Sequence, residues 1–241
     1  MKLTEGGNVF KNQDGSEATQ RIGRDNVVPT VQWLEQLTGL SLVDNMLGTT
    51  GKKESSGDLD LAVDADKIDK QTLIDVLLRQ GIPAVDIKKS GDNVHLKTPI
   101  LGDPANGYVQ TDFMFGRPAW QHFAMAGSPE GSPYKGVHRH LLLASIAKAQ
   151  GMKWSYKNGL MDRATDQVIT QDPTEIAQKL FGGMPADLAS VESIVAKIKS
   201  RPDYDKLVVD AKEAFARENL TLPESVQMQE GSAQWFRKFV L

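Results

Sequence analysis

Leu47 to Asp64 reads LGTTGKKESSGDLDLAVD, and the reading of its second half decides the fold. On a β-strand, residues two apart point to the same face. A strand through Gly57–Val63 therefore sets Asp58 and Asp60 side by side, with Leu59 and Leu61 turned into a core. Neighbouring carboxylates repel each other and lose hydration when buried. A divalent cation relieves both penalties, and hard oxygen donors suit Mg2+. Just upstream, Gly48, Thr49, Thr50, Lys52, Lys53, Ser55, Ser56 and Gly57 offer hydroxyls, ammonium groups and free backbone N–H groups. Such a loop is a cradle for phosphate. A metal-holding pair beside a phosphate cradle is the equipment for nucleotidyl transfer. The bland alternative is a surface turn before a strand with two solvated aspartates. A bare Asp-x-Asp is common, but the added glycine-threonine, basic loop and strand pattern make the stretch specific.

The same residues resemble the signature of the DNA polymerase beta superfamily of nucleotidyltransferases, which is Gly-Ser or Gly-Gly, a short basic loop, then Asp-x-Asp on a strand. Within it, the run KKESSGDLDL is most similar to the family X polymerases. Two departures are visible. Thr49 stands where Ser or Gly is usual, and the loop is one residue shorter, with Lys52 and Lys53 in place of an arginine pair. Lysine holds a phosphate as a point charge but does not fork onto it as arginine does.

Further along, Tyr108–Gly116 (YVQTDFMFG) is an apolar strand carrying one aspartate, Asp112. The resemblance implies that Asp112 is a third metal carboxylate on a neighbouring strand. Otherwise it is an aspartate at an exposed strand position. Three carboxylates from two adjacent strands hold two ions about 4 Å apart in the two-metal arrangement. The implied cofactor is thus a pair of Mg2+ ions, with Mn2+ as a substitute, and the implied ligand is a nucleoside triphosphate. In the resemblance, a turn beside the sugar and base of the nucleotide carries two aromatics, a threonine and Gly-Ser. Gly127-Ser128 match its end, and Ala124 and Met125 stand in place of the aromatics. A wall against the 2′-hydroxyl is therefore expected to be missing.

The resemblance continues through Ala147–Lys153 (AKAQGMK), an Asn158-Gly159-Leu160 hairpin and the helix TEIAQKLFG from Thr174 to Gly182, and so covers about residues 40 to 185. It implies an α/β (α+β) fold: a nucleotidyltransferase palm with a mixed sheet, then a mostly helical, thumb-like C-terminal half. The expected division is an N-terminal arm and palm at 1–120 and the thumb-like region with its tail at 121–241. Lyase and finger domains in front of the palm are not expected, and no helix-hairpin-helix glycine pattern is present. The whole is also similar to small nucleotidyltransferases of tailed bacteriophages.

Outside the motif, local signals are ordinary. Residues 1 to 25 are polar and glycine-rich, with a turn at Asn12–Gly15, and predict a hairpin or ordered arm in which Arg21 and Arg24 touch a ligand or, as the favoured reading, are merely solvated. Asp25 or Asn26 would cap a helix with Pro29 in its first turn, whose buried face is Val28, Val31, Leu34 and Leu37 and whose stop is Gly39. A second helix spans Lys70 to Gly81. Strands follow at Ala84–Lys88 and Asn93–Thr98. His95 alternates with Val94 and Leu96, so a solvated position is expected for it rather than one lining the active face. His138 and His140 lie two apart on a helix, diverge, and read as exposed or ligand-facing. Two helices separated by Arg201-Pro202 fill Leu188 to Asn219, and Trp235 and Phe236 sit in a mixed tail.

The 241 residues suffice for one large or two small domains. The absence of cysteine excludes disulfides, thiolate metal sites and a cysteine nucleophile. The first residues lack an apolar signal core and no run is long enough to span a bilayer, so a cytoplasmic enzyme with no membrane partner is expected, in the host cytoplasm if phage-encoded. A net charge of −3 is unlike a dedicated nucleic-acid binder, so contact with a nucleic acid must come from a local patch. The expectation is transfer of a nucleoside monophosphate to a hydroxyl of RNA, a protein or a small molecule. A minimal family X-like polymerase or terminal transferase and an idle nucleotide-binding module are the alternatives. The sequence leaves the oligomeric state open.

Overall fold

A computed structural model describes residues 8–127, 129 and 132–223. The chain is mixed α/β and divides into two compact units between Ala126 and Gly127. The break falls six residues beyond the expected 120/121 boundary, because a short helix at Pro118–Ala124 packs on the sheet before it.

The first unit opens with an arm. Lys11 bridges Glu17 across a turn, and the Gln20 N–H donates to the Tyr108 carbonyl at 2.7 Å. β1 (Ile22–Gly23) leads into α1 (Arg24–Thr38), which starts at Gly23 with no side-chain cap and places Pro29 in its second turn. Its buried face is Val27, Thr30, Val31 and Leu34, while Val28 is exposed. Of the expected face, Val31 and Leu34 are buried and Leu37 packs against the core, and Val27 takes the place expected for Val28. Gly39 ends it at φ +73°, a conformation open to a residue without Cβ. β2 (Ser55–Ser56) pairs with β1.

β3 (Asp58–Asp64) follows, then α2 (Lys70–Arg79), capped by Asp69, which accepts from the Thr72 N–H at 2.7 Å. β4 (Ile87–Ser90) is shorter than expected because Ala84–Asp86 forms a 3-10 turn after Pro83. β5 (Asn93–Pro99), β6 (Tyr108–Gly116) and α3 (Pro118–Ala124) complete the unit. The sheet order is β3-β6-β5-β4, with β3 and β6 parallel and the other pairs antiparallel.

One sheet face is apolar. Leu59, Leu61, Val63, Val94, Leu96, Val109, Phe113 and Phe115 are buried in one cluster with Val27, Val31 and Leu34 of α1 and Leu73 and Leu77 of α2. Each such side chain contributes about 1.5–3 kcal/mol when fully buried. This alternation fixes the register, because a slip of one residue would carry the aspartates into the core.

The second unit begins at Gly127. α4 (Gly136–Ala149) runs into a three-stranded antiparallel sheet of β7 (Met152–Ser155), β8 (Gly159–Asp162) and β9 (Val168–Thr170). α5 (Pro173–Phe181) starts at Asp172, which accepts from the Thr174 and Glu175 N–H groups, and ends at Gly182. α6 (Val191–Ile198) and α7 (Tyr204–Arg217) pack with α4 around Leu142, Leu143, Ile194, Leu207 and Phe215. The region is mostly helical as expected, with β9 as an addition. Trp235 and Phe236 lie outside the described residues.

The two helix histidines are not exposed. His138 is half-buried between the Tyr134 and Phe215 rings, and its Nδ1 accepts from the Lys135 N–H. His140 accepts from Trp154 Nε1–H at 3.1 Å. Burial, then the Arg139 charge, pushes it down to about 4, so it is neutral at ordinary pH. Both side chains serve packing within this unit.

Candidate metal and nucleotide site

The second sheet face is polar, and strand register builds it. Residues paired across neighbouring strands point the same way. Asp60 of β3 pairs with Asp112 of β6, Asp112 with His95 of β5, and His95 with Lys88 of β4. One row thus crosses all four strands. In the next row, Asp58 pairs with Gln110 and Gln110 with Lys97.

Asp58, Asp60 and Asp112 each offer a carboxylate oxygen, and these oxygens lie within 4.8 Å of one another. Burial and then the Asp112 charge hold Asp58 above the usual carboxylate range, with Arg21 opposing. Asp60 is pushed well above it, by burial first and then by Asp58 and Asp112. Three acidic groups so disposed are unfavourable on their own. A purely oxygen donor set of this charge fits a hard divalent cation such as Mg2+ or Mn2+.

The loop before β3 is built around Asp60. The Leu47 N–H donates to the Asp60 carbonyl at 2.8 Å, and the Asp60 N–H donates to Thr50 Oγ1 at 3.1 Å. Together with the Met46–Leu61 bridge, these contacts cover the outer edge of β3. Gly48 turns the loop at φ +59°. A Cβ there would stand 3.8 Å from both Asp60 Oδ2 and the Met125 carbonyl, so loop, carboxylate and the end of α3 converge at Gly48.

The expected nucleotide-binding residues differ in their surroundings. Thr50 and Ser56 are buried, and their hydroxyls accept from the Asp60 and Gly51 N–H groups, so they shape the loop. Thr49, Lys52, Lys53 and Gly57 are exposed. Lys52 Nζ donates to the Gly48 carbonyl at 2.9 Å. Ser55 is half-buried and accepts from Arg21 Nε. Gly127 belongs to the second unit, and Ser128 lies outside the described residues. Ala124 is buried at the end of α3 and Met125 half-buried, so of the two only Met125 has surface to offer a ligand.

Several residues at the site lie outside its sequence motifs. Arg21 and Arg24 are not merely solvated. Arg21 donates to Ser55 and Arg24 to the Lys52 and Lys53 carbonyls, so both guanidiniums staple the basic loop. His95 is 6% exposed, and its Nδ1 lies 2.7 Å from Asp112 Oδ1. It therefore lines the polar face instead of facing solvent. Gln110 is equally buried and donates to the same oxygen at 3.0 Å. Within β6, Gln110 lies two residues from Asp112 and so on its face, and His95 joins that face through the β5–β6 register.

No protein-family model matches the chain, and no curated protein matches it. Among the described residues, no helix is long and apolar enough to cross a membrane.

Proposed function

We propose that the protein is a metal-dependent nucleotidyltransferase that moves a nucleoside monophosphate from a nucleoside triphosphate to a hydroxyl acceptor. The observation that carries this reading is the convergence of the Asp58, Asp60 and Asp112 oxygens within 4.8 Å, beside a basic loop folded around Asp60. In the reaction a bond forms from the acceptor oxygen to the α-phosphorus and the bond from that phosphorus to the β-phosphate oxygen breaks. The hydroxyl proton is lost and pyrophosphate leaves.

Asp58 and Asp60 would hold two Mg2+ ions in common, and Asp112 would complete the site nearer the attacking hydroxyl. Bound Mg2+, or Mn2+ in its place, supplies charge neutralisation at the phosphate and a lowered hydroxyl pKa. Lys52 and Lys53 would bind the triphosphate and orient it for in-line attack. The intact carboxylate set argues against an idle binding module. The net charge of −3 favours RNA ends, a protein or a small molecule as acceptor over a long DNA duplex.

The test is a screen of labelled nucleoside triphosphates against DNA primers, transfer RNA, proteins and small hydroxyl compounds, with wild type and Asp112→Asn. Transfer by wild type, lost in the variant and on chelation, is the expected result. Wild type that neither transfers nor binds any nucleoside triphosphate with Mg2+ present would overturn the reading.

A further inference from the structure

We infer that His95 is a positioning residue for the third metal carboxylate, acting with Gln110 and the N-terminal arm. This rests on the metal-site reading above and adds residues to it.

The geometry runs through one oxygen. Asp112 Oδ1 lies 2.7 Å from His95 Nδ1 and accepts from Gln110 Nε2 at 3.0 Å. A carboxylate that holds a metal ion only accepts, so this contact requires the His95 tautomer with its proton on Nδ1. With two donors on Oδ1, Oδ2 is the oxygen left to face an ion. The amide of Gln110 is oriented in turn by the arm. The Val9 N–H, which only donates, lies 2.8 Å from Gln110 Oε1, and this turns Nε2 towards Asp112. Lys88 holds the arm in place, donating to the Val9 carbonyl and standing 5.0 Å from the centre of the buried Phe10 ring.

Asp58 and Asp60 share one strand and the loop around it, whereas Asp112 alone comes from β6. Free to rotate, its carboxylate would swing away from the two like charges. Two hydrogen bonds to one oxygen prevent that rotation. Partners behind a metal ligand commonly account for about 10–100-fold in metal affinity or activity.

The test is Mn2+ binding to full-length protein without nucleotide, followed by electron paramagnetic resonance of the free ion. Variants are His95→Leu, which removes the donor, His95→Asn, whose Nδ2–H replaces Nδ1–H, Gln110→Met and Asp112→Asn. Wild type should bind, and Asp112→Asn should lose affinity. His95→Leu should weaken binding by about tenfold or more, with His95→Asn restored close to wild type. A purely structural histidine would give a lower melting temperature with unchanged Mn2+ affinity. Gln110→Met, expected to weaken binding in the same direction, answers the question if His95→Leu does not fold. Loss in Asp112→Asn with unchanged affinity in folded His95→Leu, or in Gln110→Met where that variant does not fold, would overturn this inference and leave the three-carboxylate site standing. Absence of Mn2+ binding by wild type, or its persistence in Asp112→Asn, would overturn the site and the inference together.

Discussion

Asp60 is the residue at which function and stability oppose each other most directly. It is held protonated to a higher pH in the folded chain than in the unfolded one, by burial and by Asp58 and Asp112. Between the unfolded value of 3.8 and the folded value, the folded state binds more protons. Metal-free stability therefore falls as pH rises through that window, and the loss is complete once Asp60 ionises in the fold. Asp60→Asn is expected to abolish transfer, yet to melt higher than wild type near neutral pH in chelator. The gap should close below pH 3.8. Scanning calorimetry against pH on both proteins checks it, and a variant no more stable than wild type would contradict the frustrated triad. Added Mg2+ should raise the wild-type melting temperature and leave the variant nearly unmoved. Lys52 and Lys53 are the opposite case. Both are exposed on the loop, so replacing both with Ala should weaken nucleoside triphosphate binding while the melting temperature stays put. Calorimetric titration showing unchanged nucleotide affinity would refute their role.

At the scale of elements, the loop from Met46 to Thr50 does for β3 what a further strand would do. Its bonds to Asp60 occupy the edge left open by the β3-β6-β5-β4 order. Thr50 is 4% exposed and its hydroxyl accepts from the Asp60 N–H, so it holds the loop to β3. Thr50→Val keeps the shape and strands the Asp60 N–H. It should cost about 1–3 kcal/mol in stability, read by urea denaturation. Because that N–H belongs to an aspartate of the proposed metal site, Mn2+ affinity is expected to fall as well. A neutral Thr50→Val would show that water replaces the bond and that the edge is open. The arm acts in a comparable way on the other side of the site, since it meets the polar face through the Gln110 side chain.

For the whole molecule the relevant quantity is charge. At −3 overall, the chain has no general attraction for a polyanion. Arg21, Arg24, Lys52 and Lys53 gather at one loop, four cations against the long row of phosphates of a duplex. Duplex DNA is therefore expected not to bind below about 10 μM at physiological salt, near the middle of the usual non-specific range. Fluorescence anisotropy checks this, and tight salt-sensitive binding would move the acceptor assignment back towards DNA.

The sequence alone determined what depends on periodicity and on local chemistry. Alternation in DLDLAV placed Asp58 and Asp60 on the face opposite Leu59 and Leu61, and Gly39, Gly151 and Gly182 ended their helices. Asp112 was legible as the one charged residue of a largely apolar strand. Its side-by-side placement with Asp60 is a fact of the parallel β3–β6 register across more than forty intervening residues. Only the tertiary structure put His95 on that row, brought Val9 to Gln110, set both arginines on the basic loop, and buried Thr50, Ser56 and Ala124. The reason is physical. A strand's own pattern says which residues share a face, but which strands lie beside it, and which hydroxyls must satisfy a neighbouring backbone, are settled by pairing between segments distant in the chain.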